Sequence, residues 1–154
     1  MRLTEKDIEF IQQKITPLFG EKIYEAQLQI GSMISLDFGK PCPGSEWRGE
    51  WGLRIEQSIW NLNMGEKGII AADDTRDAIV LCLGYMVGAA LVGIKIRPPS
   101  LDTTLWFSNG FGMRLFPIFS QFKEHRHDWL LYTPDNQVLT IGCGAFWSYK
   151  PLDS

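Results

Sequence analysis

Gly52-Leu53-Arg54-Ile55 recurs 60 positions later as Gly112-Met113-Arg114-Leu115, with only apolar residues exchanged for one another. Two further blocks recur in the same order along the chain. They are Gly20-Glu21-Lys22-Ile23 with Gly93-Ile94-Lys95-Ile96, and Ser35-Leu36-Asp37-Phe38 with Thr104-Leu105-Trp106-Phe107. Repetition of this kind indicates a duplicated structural unit. It predicts two similar β-rich halves, in which most of the conspicuous residues serve the core and the turns.

The pattern within the blocks predicts antiparallel strands. Ile34, Leu36 and Phe38 alternate with polar residues, as in a strand that buries one face. Turn signals separate the strands. Asn109-Gly110 is a strong hairpin signal because both residues tolerate a positive φ angle, and Pro134-Asp135-Asn136 is a second turn.

Two helices complete the predicted fold. Thr4 and Asp7 resemble a capping box, and apolar residues then recur at helical spacing. A second helix, at about residues 74–88, is expected to be capped by Asp73 or Asp74. Ile79, Leu83, Met86 and Val87 fall on one side of this helix, which predicts that the helix covers one face of a sheet with these residues.

These elements predict a single-domain α+β protein that spans residues 1–154. It has two pseudo-repeated antiparallel β units, an N-terminal helix and a central covering helix. We place the repeats at about residues 20–62 and 92–149, joined by the helix at about 74–88. No polar linker is long enough to separate two autonomous domains, so we expect the halves to share one core.

Composition and charge limit the classes of function that fit this chain. The chain has 154 residues, of which 45% are hydrophobic and 21% charged, which is enough to bury one core without metals or disulfides. The 15 basic residues are scattered and the formal net charge is −3. Neutralising phosphates needs a concentrated basic face, so the sequence argues against nucleic-acid binding.

The uncharged run from Ala78 to Ile94 is the one segment with the character of a membrane span. Glycines interrupt it and the repeat assigns its end to a strand, so we expect a helix, a turn and a buried strand, without membrane contact. The charged N-terminus lacks the apolar centre of a secretory signal. Three scattered cysteines without a C-x-x-C pair fit reduced thiols. The expected location is the cytoplasm.

Few residues have the spacing of a catalytic or metal site. His125, His127 and Asp128 could supply metal ligands, but no fourth ligand is evident nearby. We expect no metal there, and the sequence leaves the question open. Gly142-Cys143-Gly144 is too short for a phosphate loop, and a tight turn is favoured. No nucleophile motif is present, so we expect a protein that is not an enzyme and has no cofactor.

Several short motifs lie in the last third of the chain. They are Asp102-x-x-Leu105-x-Phe107, Gly110, Leu115-Phe116-Pro117, Trp129-x-Leu131, Thr133-Pro134-Asp135, Gly142-x-Gly144 and Trp147-Ser148-Tyr149. This set resembles a module of small uncharacterised bacterial proteins, some of them similar to immunity proteins of polymorphic toxin systems. The chain departs from the pattern at Asn136 and Cys143, where the module has Gly and Pro. The resemblance implies a bacterial, intracellular, non-enzymatic protein.

The duplication also singles out one loop. From Phe38 to Gly52 the chain advances 14 positions, whereas from Phe107 to Gly112 it advances five. The first half therefore carries nine additional residues in a hairpin that its counterpart closes tightly. Prolines and a glycine limit the flexibility of this insertion, and rigid loops on a scaffold often carry function.

The inserted loop contains the candidate binding residues. Trp and Arg are residue types that dominate interface energetics. We predict that Glu46, Trp47, Arg48 and Trp51 form a partner-binding surface. The alternative is that Trp47 and Trp51 fold back and plug the end of the sheet, since Trp is mostly buried in proteins.

The function that fits these observations is that of a non-enzymatic cytoplasmic binding protein. Its expected partner is another protein, and toxin neutralisation is the specific hypothesis. The alternative is a small-molecule-binding module whose ligand lies between the two halves. Self-association into a homo-oligomer stays open.

Replacement of Trp47 distinguishes a binding loop from a core plug. If the loop is a recognition surface, Trp47→Ala should change the free energy of unfolding by less than about 0.5 kcal/mol, as surface changes do. Loss of a buried ring would instead cost about 3 kcal/mol. Urea unfolding followed by tryptophan fluorescence measures the difference, and the larger value would remove the loop as a binding site.

Overall fold

The computed structural model describes residues 4–44, 48–117, 127–142 and 146–152. The helices are α1 (Glu5–Ile15), which a short 3-10 turn follows (Thr16–Leu18), and α2 (Arg76–Gly84). The strands are β1 (Ile23–Leu28), β2 (Ile34–Pro41), β3 (Gly49–Ile55), β4 (Ser58–Met64), β5 (Lys67–Ala71), β6 (Leu91–Arg97), β7 (Asp102–Phe107), β8 (Phe111–Pro117), β9 (Trp129–Tyr132), β10 (Gln137–Ile141) and β11 (Trp147–Pro151).

The strands form two antiparallel sheets. The six-stranded sheet has the order β1-β2-β3-β9-β10-β11, and the five-stranded sheet has the order β5-β4-β8-β7-β6. Both helices contribute apolar residues to one core cluster that also contains residues of both sheets. The predicted α+β class, with two antiparallel β units, an N-terminal helix and a central helix, is confirmed.

The duplication is visible in the strand register. Asp37 of β2 lies opposite Gly52 of β3, and Trp106 of β7 lies opposite Gly112 of β8. β1 and β6 both carry a register shift after their first paired residue, so the bulges correspond as well. The blocks at Ser35 and Gly52 therefore occupy the same places in the first half as the blocks at Thr104 and Gly112 in the second. Each half contains a three-stranded antiparallel meander, β1-β2-β3 in the first and β6-β7-β8 in the second.

The two halves exchange their last hairpins. β4 and β5 leave the first meander and pair with β8 of the second, whereas β9 and β10 return to β3 of the first. Trp60 of β4 lies opposite Leu115, and Trp129 of β9 lies opposite Ile55, so these two buried tryptophans occupy equivalent positions. Each sheet therefore contains strands from both halves.

The block at Gly20 does not correspond to the block at Gly93, although the sequence suggested this match. Gly20 and Gly88 both have a φ of +93°, which favours glycine, and each lies three residues before the strand that opens its half. Ile23 and Leu91 start these strands at matching positions, each opposite a phenylalanine of the next strand. The block at Gly20 therefore corresponds to the one at Gly88, and its assignment to residues 93–96 is wrong.

Helix α2 is the first element of the second half and not a connector between the halves. Three buried residues with the same spacing anchor each helix segment to the core. They are Ile11, Ile15 and Leu18 in the first half, and Ile79, Leu83 and Met86 in the second. One copy therefore runs from α1 to β5 and the other from α2 to β10, whereas the predicted bounds of 20–62 and 92–149 leave out both helices.

The helix ends follow local hydrogen bonds. The capping box predicted for α1 is confirmed. For α2 the cap is Thr75, whose hydroxyl accepts a hydrogen bond from the first turn, so the prediction of Asp73 or Asp74 is wrong. The helix ends at Gly84, earlier than predicted, because the chain must turn there to reach β6.

A chain cut between residues 73 and 74 tests the exchange of hairpins. Neither fragment should fold as a monomer, because each lacks the strands that cover its half of the sheets, and isolated hairpins are marginal in water. Mixing the fragments at equal concentration should restore the near-ultraviolet circular dichroism of the intact chain. A cooperative unfolding transition from either monomeric fragment alone would contradict the exchange.

Candidate functional site

An ion pair lies on the six-stranded sheet, on the face opposite the core. The Arg54 guanidinium of β3 donates to the Asp37 carboxylate of β2, with 3.0 Å between Nη2 and Oδ1. The two side chains are 14% and 6% exposed. The same carboxylate oxygen accepts a hydrogen bond of 3.0 Å from the N–H of Gly49. Charge-assisted bonds of this kind fix the two strands against each other.

Gly52 allows the ion pair to lie flat on the sheet. A β-carbon at Gly52 would be 3.2 Å from both Asp37 Oδ1 and Arg54 Nη1, which is tighter than an ordinary contact. A larger residue would therefore push the pair away from the backbone. The Gly-x-Arg spacing in the first half thus has a steric reason.

Tyr132 of β9 lies beside two guanidinium groups. Its ring centroid is 5.8 Å from Arg54 Cζ and 5.5 Å from Arg48 Cζ, which favours cation–π attraction. Burial raises the pKa of the Tyr132 hydroxyl, and the Arg54 charge acts in the opposite direction. Arg48 also donates from Nη2 to Asn136 Oδ1 at 2.9 Å. These residues, with Asp37, form a cluster that joins strands of both halves, and we call it the Arg54 cluster.

Two of the four residues predicted to bind a partner lie in the interior. Arg48 is 3% exposed and belongs to the Arg54 cluster, whereas Trp51 is 7% exposed and lies opposite Phe38 on the core face. The burial of Trp51 fits the plug alternative, and neither side chain offers much accessible surface to a partner. Glu46 and Trp47 lie outside the described residues, and their binding role stays a prediction.

The histidine segment is only partly described. His125 lies outside the described residues, His127 is exposed and Asp128 is buried. Within the described ranges, no three His, Cys, Asp or Glu side chains come close enough to share a metal ion. The main-chain carbonyl of Asp128 accepts a 3.1 Å hydrogen bond from the Ser58 hydroxyl, so the segment joins the start of β4 to β9.

Gly142 has a steric role next to this segment. Its φ is +104°, and a β-carbon there would lie 2.6 Å from the backbone nitrogen of Asp128. The glycine therefore belongs to a close approach between two backbone segments. Cys143 and Gly144 lie outside the described residues, and the other cysteines, Cys42 and Cys82, are free thiols.

The equivalent place on the five-stranded sheet has different residues. Arg114 corresponds to Arg54, and Trp106 corresponds to Asp37. The Arg114 side chain is exposed, and its guanidinium forms no hydrogen bond or ion pair with another described residue. Two clefts, of about 420 and 370 Å³, both include Arg114 and Asn63 in their linings.

An apolar surface lies on and after α2. Its residues are large, apolar and more than one third exposed. They are Val80, Leu81, Tyr85, Val87 and Val92, which we call the α2 surface. The first three follow the outward side of the helix, opposite the buried Ile79 and Leu83. The sequence predicted that Val87 would face the core with Leu83, and its exposure shows that this prediction is wrong.

Sequence reasoning missed both the Arg54 cluster and the α2 surface. The repeated Gly-x-Arg spacing was the signal for the first, but pairing of Arg54 with Asp37 depends on strand register. The uncharged run from Ala78 to Ile94 was the signal for the second. Of the helices in the described ranges, neither has the length and hydropathy that crossing a membrane requires.

Comparison with models of known protein families, with curated proteins and with solved structures finds no match to this chain. The candidate sites are therefore assigned from this chain's own residues. Within the described part of the chain, two features carry the functional argument. They are the α2 surface and the clefts around Arg114.

Removal of the Asp37 carboxylate tests the Arg54 cluster. Asp37→Ala leaves Arg54 and the N–H of Gly49 without this acceptor, and it should lower the free energy of unfolding by about 2–3 kcal/mol. Asp73→Ala, at an exposed position, is the control and should stay within about 0.5 kcal/mol. Urea denaturation measures both. Equal values for the two variants would mean that the ion pair is not stabilising.

Proposed function

We propose that this chain is a non-enzymatic protein-binding module and that the α2 surface is where its partner docks. The observation that carries the proposal is the exposure of Val80 and Leu81, which are 56% and 64% accessible. Burying such apolar area is favourable by about 25 cal/mol per Å². Leu81 and Tyr85 lie four positions apart and are therefore neighbours on one side of the helix, and exposed apolar patches commonly mark protein contacts.

The first half supplies an internal control for this proposal. By the spacing of the buried residues, Val80 and Leu81 correspond to Gln12 and Gln13 of α1. α1 packs on the core with polar residues at these outward positions, so the fold does not require apolar ones. A requirement outside the core accounts for the apolar residues in α2, and contact with another protein is such a requirement.

Among the described residues, the groups with shifted pKa values lie in structural surroundings. Burial raises the pKa values of Tyr24, Tyr132 and Tyr149, and a backbone hydrogen bond at Thr4 lowers that of Asp7. Each shift has a local structural cause, and catalytic groups are usually tuned in pairs within one cleft.

The class of partner comes from the resemblance of residues 102–149 to immunity-type modules. On that basis we propose a toxin domain as the partner, in the cytoplasm of a bacterium. α2 lies outside the resembling stretch, so this chain would bind with a surface of its own. The alternative is that a second copy of this chain, and not a toxin domain, occupies the α2 surface.

Leu81→Glu tests the docking surface because it places a charge among the apolar residues. Gln13→Glu makes the same change at the equivalent position of α1 and is the matched control. Both positions are exposed, so both variants should unfold within about 0.5 kcal/mol of the wild type. The binding partner in this test is the proposed toxin domain, taken as the product of the gene adjacent to that of this chain. Its affinity, measured by titration calorimetry, should weaken at least about tenfold for Leu81→Glu only.

Analytical ultracentrifugation of the same variants shows whether a second copy of this chain occupies the α2 surface. If the wild-type chain is a dimer and Leu81→Glu is a monomer, the surface joins two copies of this chain. Equal partner binding and equal mass for wild type, Leu81→Glu and Gln13→Glu would contradict the proposal.

A further inference from the structure

Arg54 and Arg114 hold the same position in the two halves but have opposite surroundings. Arg54 is mostly buried and donates to Asp37, which the neighbouring strand supplies. Arg114 is exposed, and within the described part of the chain it has no acceptor. The two halves therefore place a guanidinium at the same position, and only in the first half does the neighbouring strand supply a carboxylate for it.

Trp106 stands where the first half has Asp37. A β-carbon at Gly93 would be 3.1 Å from Trp106 Cε3, so the indole ring lies against the backbone of β6. The side chain is nevertheless exposed. An aromatic ring in this position offers its open side to the flat, apolar part of a ligand.

A second guanidinium lies next to Arg114. Thr104 is the cross-strand neighbour of Arg114, and its hydroxyl accepts a hydrogen bond of 2.8 Å from Arg97 Nη1. Arg97, Arg114 and Trp106 line the same cleft of about 370 Å³, with Asp102 as the acidic residue in the lining. The cleft therefore carries a positive balance of charge, although the net charge of the chain is −3.

The adjoining cleft has the opposite balance. It shares Arg114 and Asn63 but is also lined by Glu66 and Asp74. An anion is therefore favoured on the Arg97 side of Arg114. This side is formed by both halves, because Asn63 belongs to β4 of the first half and the arginines to the second.

We propose that the cleft lined by Arg97, Arg114 and Trp106 binds a carboxylate that is carried on a flat apolar group. The carboxylate would accept from the Arg114 guanidinium, as Asp37 accepts from Arg54, and the apolar group would lie on the Trp106 ring. Planar guanidinium groups match carboxylates with paired hydrogen bonds. The ligand is an aromatic carboxylic acid, either free or as the C-terminal residue of a peptide. This site shares no residue with the α2 surface and does not depend on it.

Nuclear magnetic resonance titration of the ¹⁵N-labelled full chain tests the site. The probe is 2-naphthoate, and the readouts are the side-chain Nε–Hε resonance of Arg114 and the indole resonance of Trp106, assigned from Arg114→Gln and Trp106→Phe. Saturable shifts of both are expected. 2-Naphthamide lacks the charge and should bind at least about tenfold more weakly. Gly-Gly-Phe with a free C-terminus, compared with its amide, shows whether a peptide can be the source of the carboxylate.

Matched variants locate the binding. Arg114→Gln should weaken 2-naphthoate at least about tenfold, judged by the Trp106 indole shift. Lys6→Gln removes an exposed charge from α1 and should leave the affinity unchanged. Equal affinities for the acid and the amide, or for Arg114→Gln and the wild type, would overturn the proposal. Tighter binding of 2-naphthyl phosphate than of 2-naphthoate would overturn the assignment to a carboxylate.

Trp106→Asp imitates the first half. It supplies a carboxylate from the strand itself, so 2-naphthoate should no longer shift the Arg114 resonance. Trp106→Asn removes the ring without adding a charge and should retain a weakened shift. The same response from both variants would mean that Arg114 does not recognise the carboxylate.

Discussion

The pairing of each meander with the other half's hairpin is the constraint on which the structure depends. β3 has β9 as its neighbour and β8 has β4, so both sheets are completed across the duplication. Trp60 and Trp129 are buried at equivalent points of these pairings. The arrangement is that of two copies that exchange hairpins, joined into one chain. Neither half has a complete sheet of its own, which ties the stability of each half to the other.

In a duplicated fold, residues shared by both copies serve the common backbone, whereas residues found in one copy serve a role of that copy. Gly52 makes room for the Asp37–Arg54 pair, and that pair fixes two strands. The second copy keeps Gly112 and Arg114 but has no acid opposite the glycine. The helices differ in the same way, because the core positions of α1 and α2 are alike and the outward positions are not. Some positions that differ between the copies, such as Asp37, have a structural role, and the exposed ones are those on which the two proposals rest.

The outer edges of the sheets also differ. β11 covers β10, and its Trp147 and Tyr149 pack on Phe10 of α1 with ring centroids 5.6 and 5.7 Å apart. The corresponding strand β5 is an edge. The Asp74 carboxylate accepts a hydrogen bond from the N–H of Ala71 at 2.8 Å, and a register shift interrupts the pairing of β5 with β4. Such features discourage the addition of another strand to β5, which belongs to the first half.

The sequence by itself determined most strands, the hairpin turns, the capping box of α1 and two of the three repeated blocks, because periodicity and turn chemistry are local properties. It did not determine which strands pair across the duplication, since alternation indicates the buried face and not the neighbour. Burial of Arg48 and Trp51, the match of Gly20 with Gly88 and the ion pair of Arg54 all depend on that pairing. Tertiary structure decided them, because contacts distant in sequence are chosen by packing and register and not by local preference.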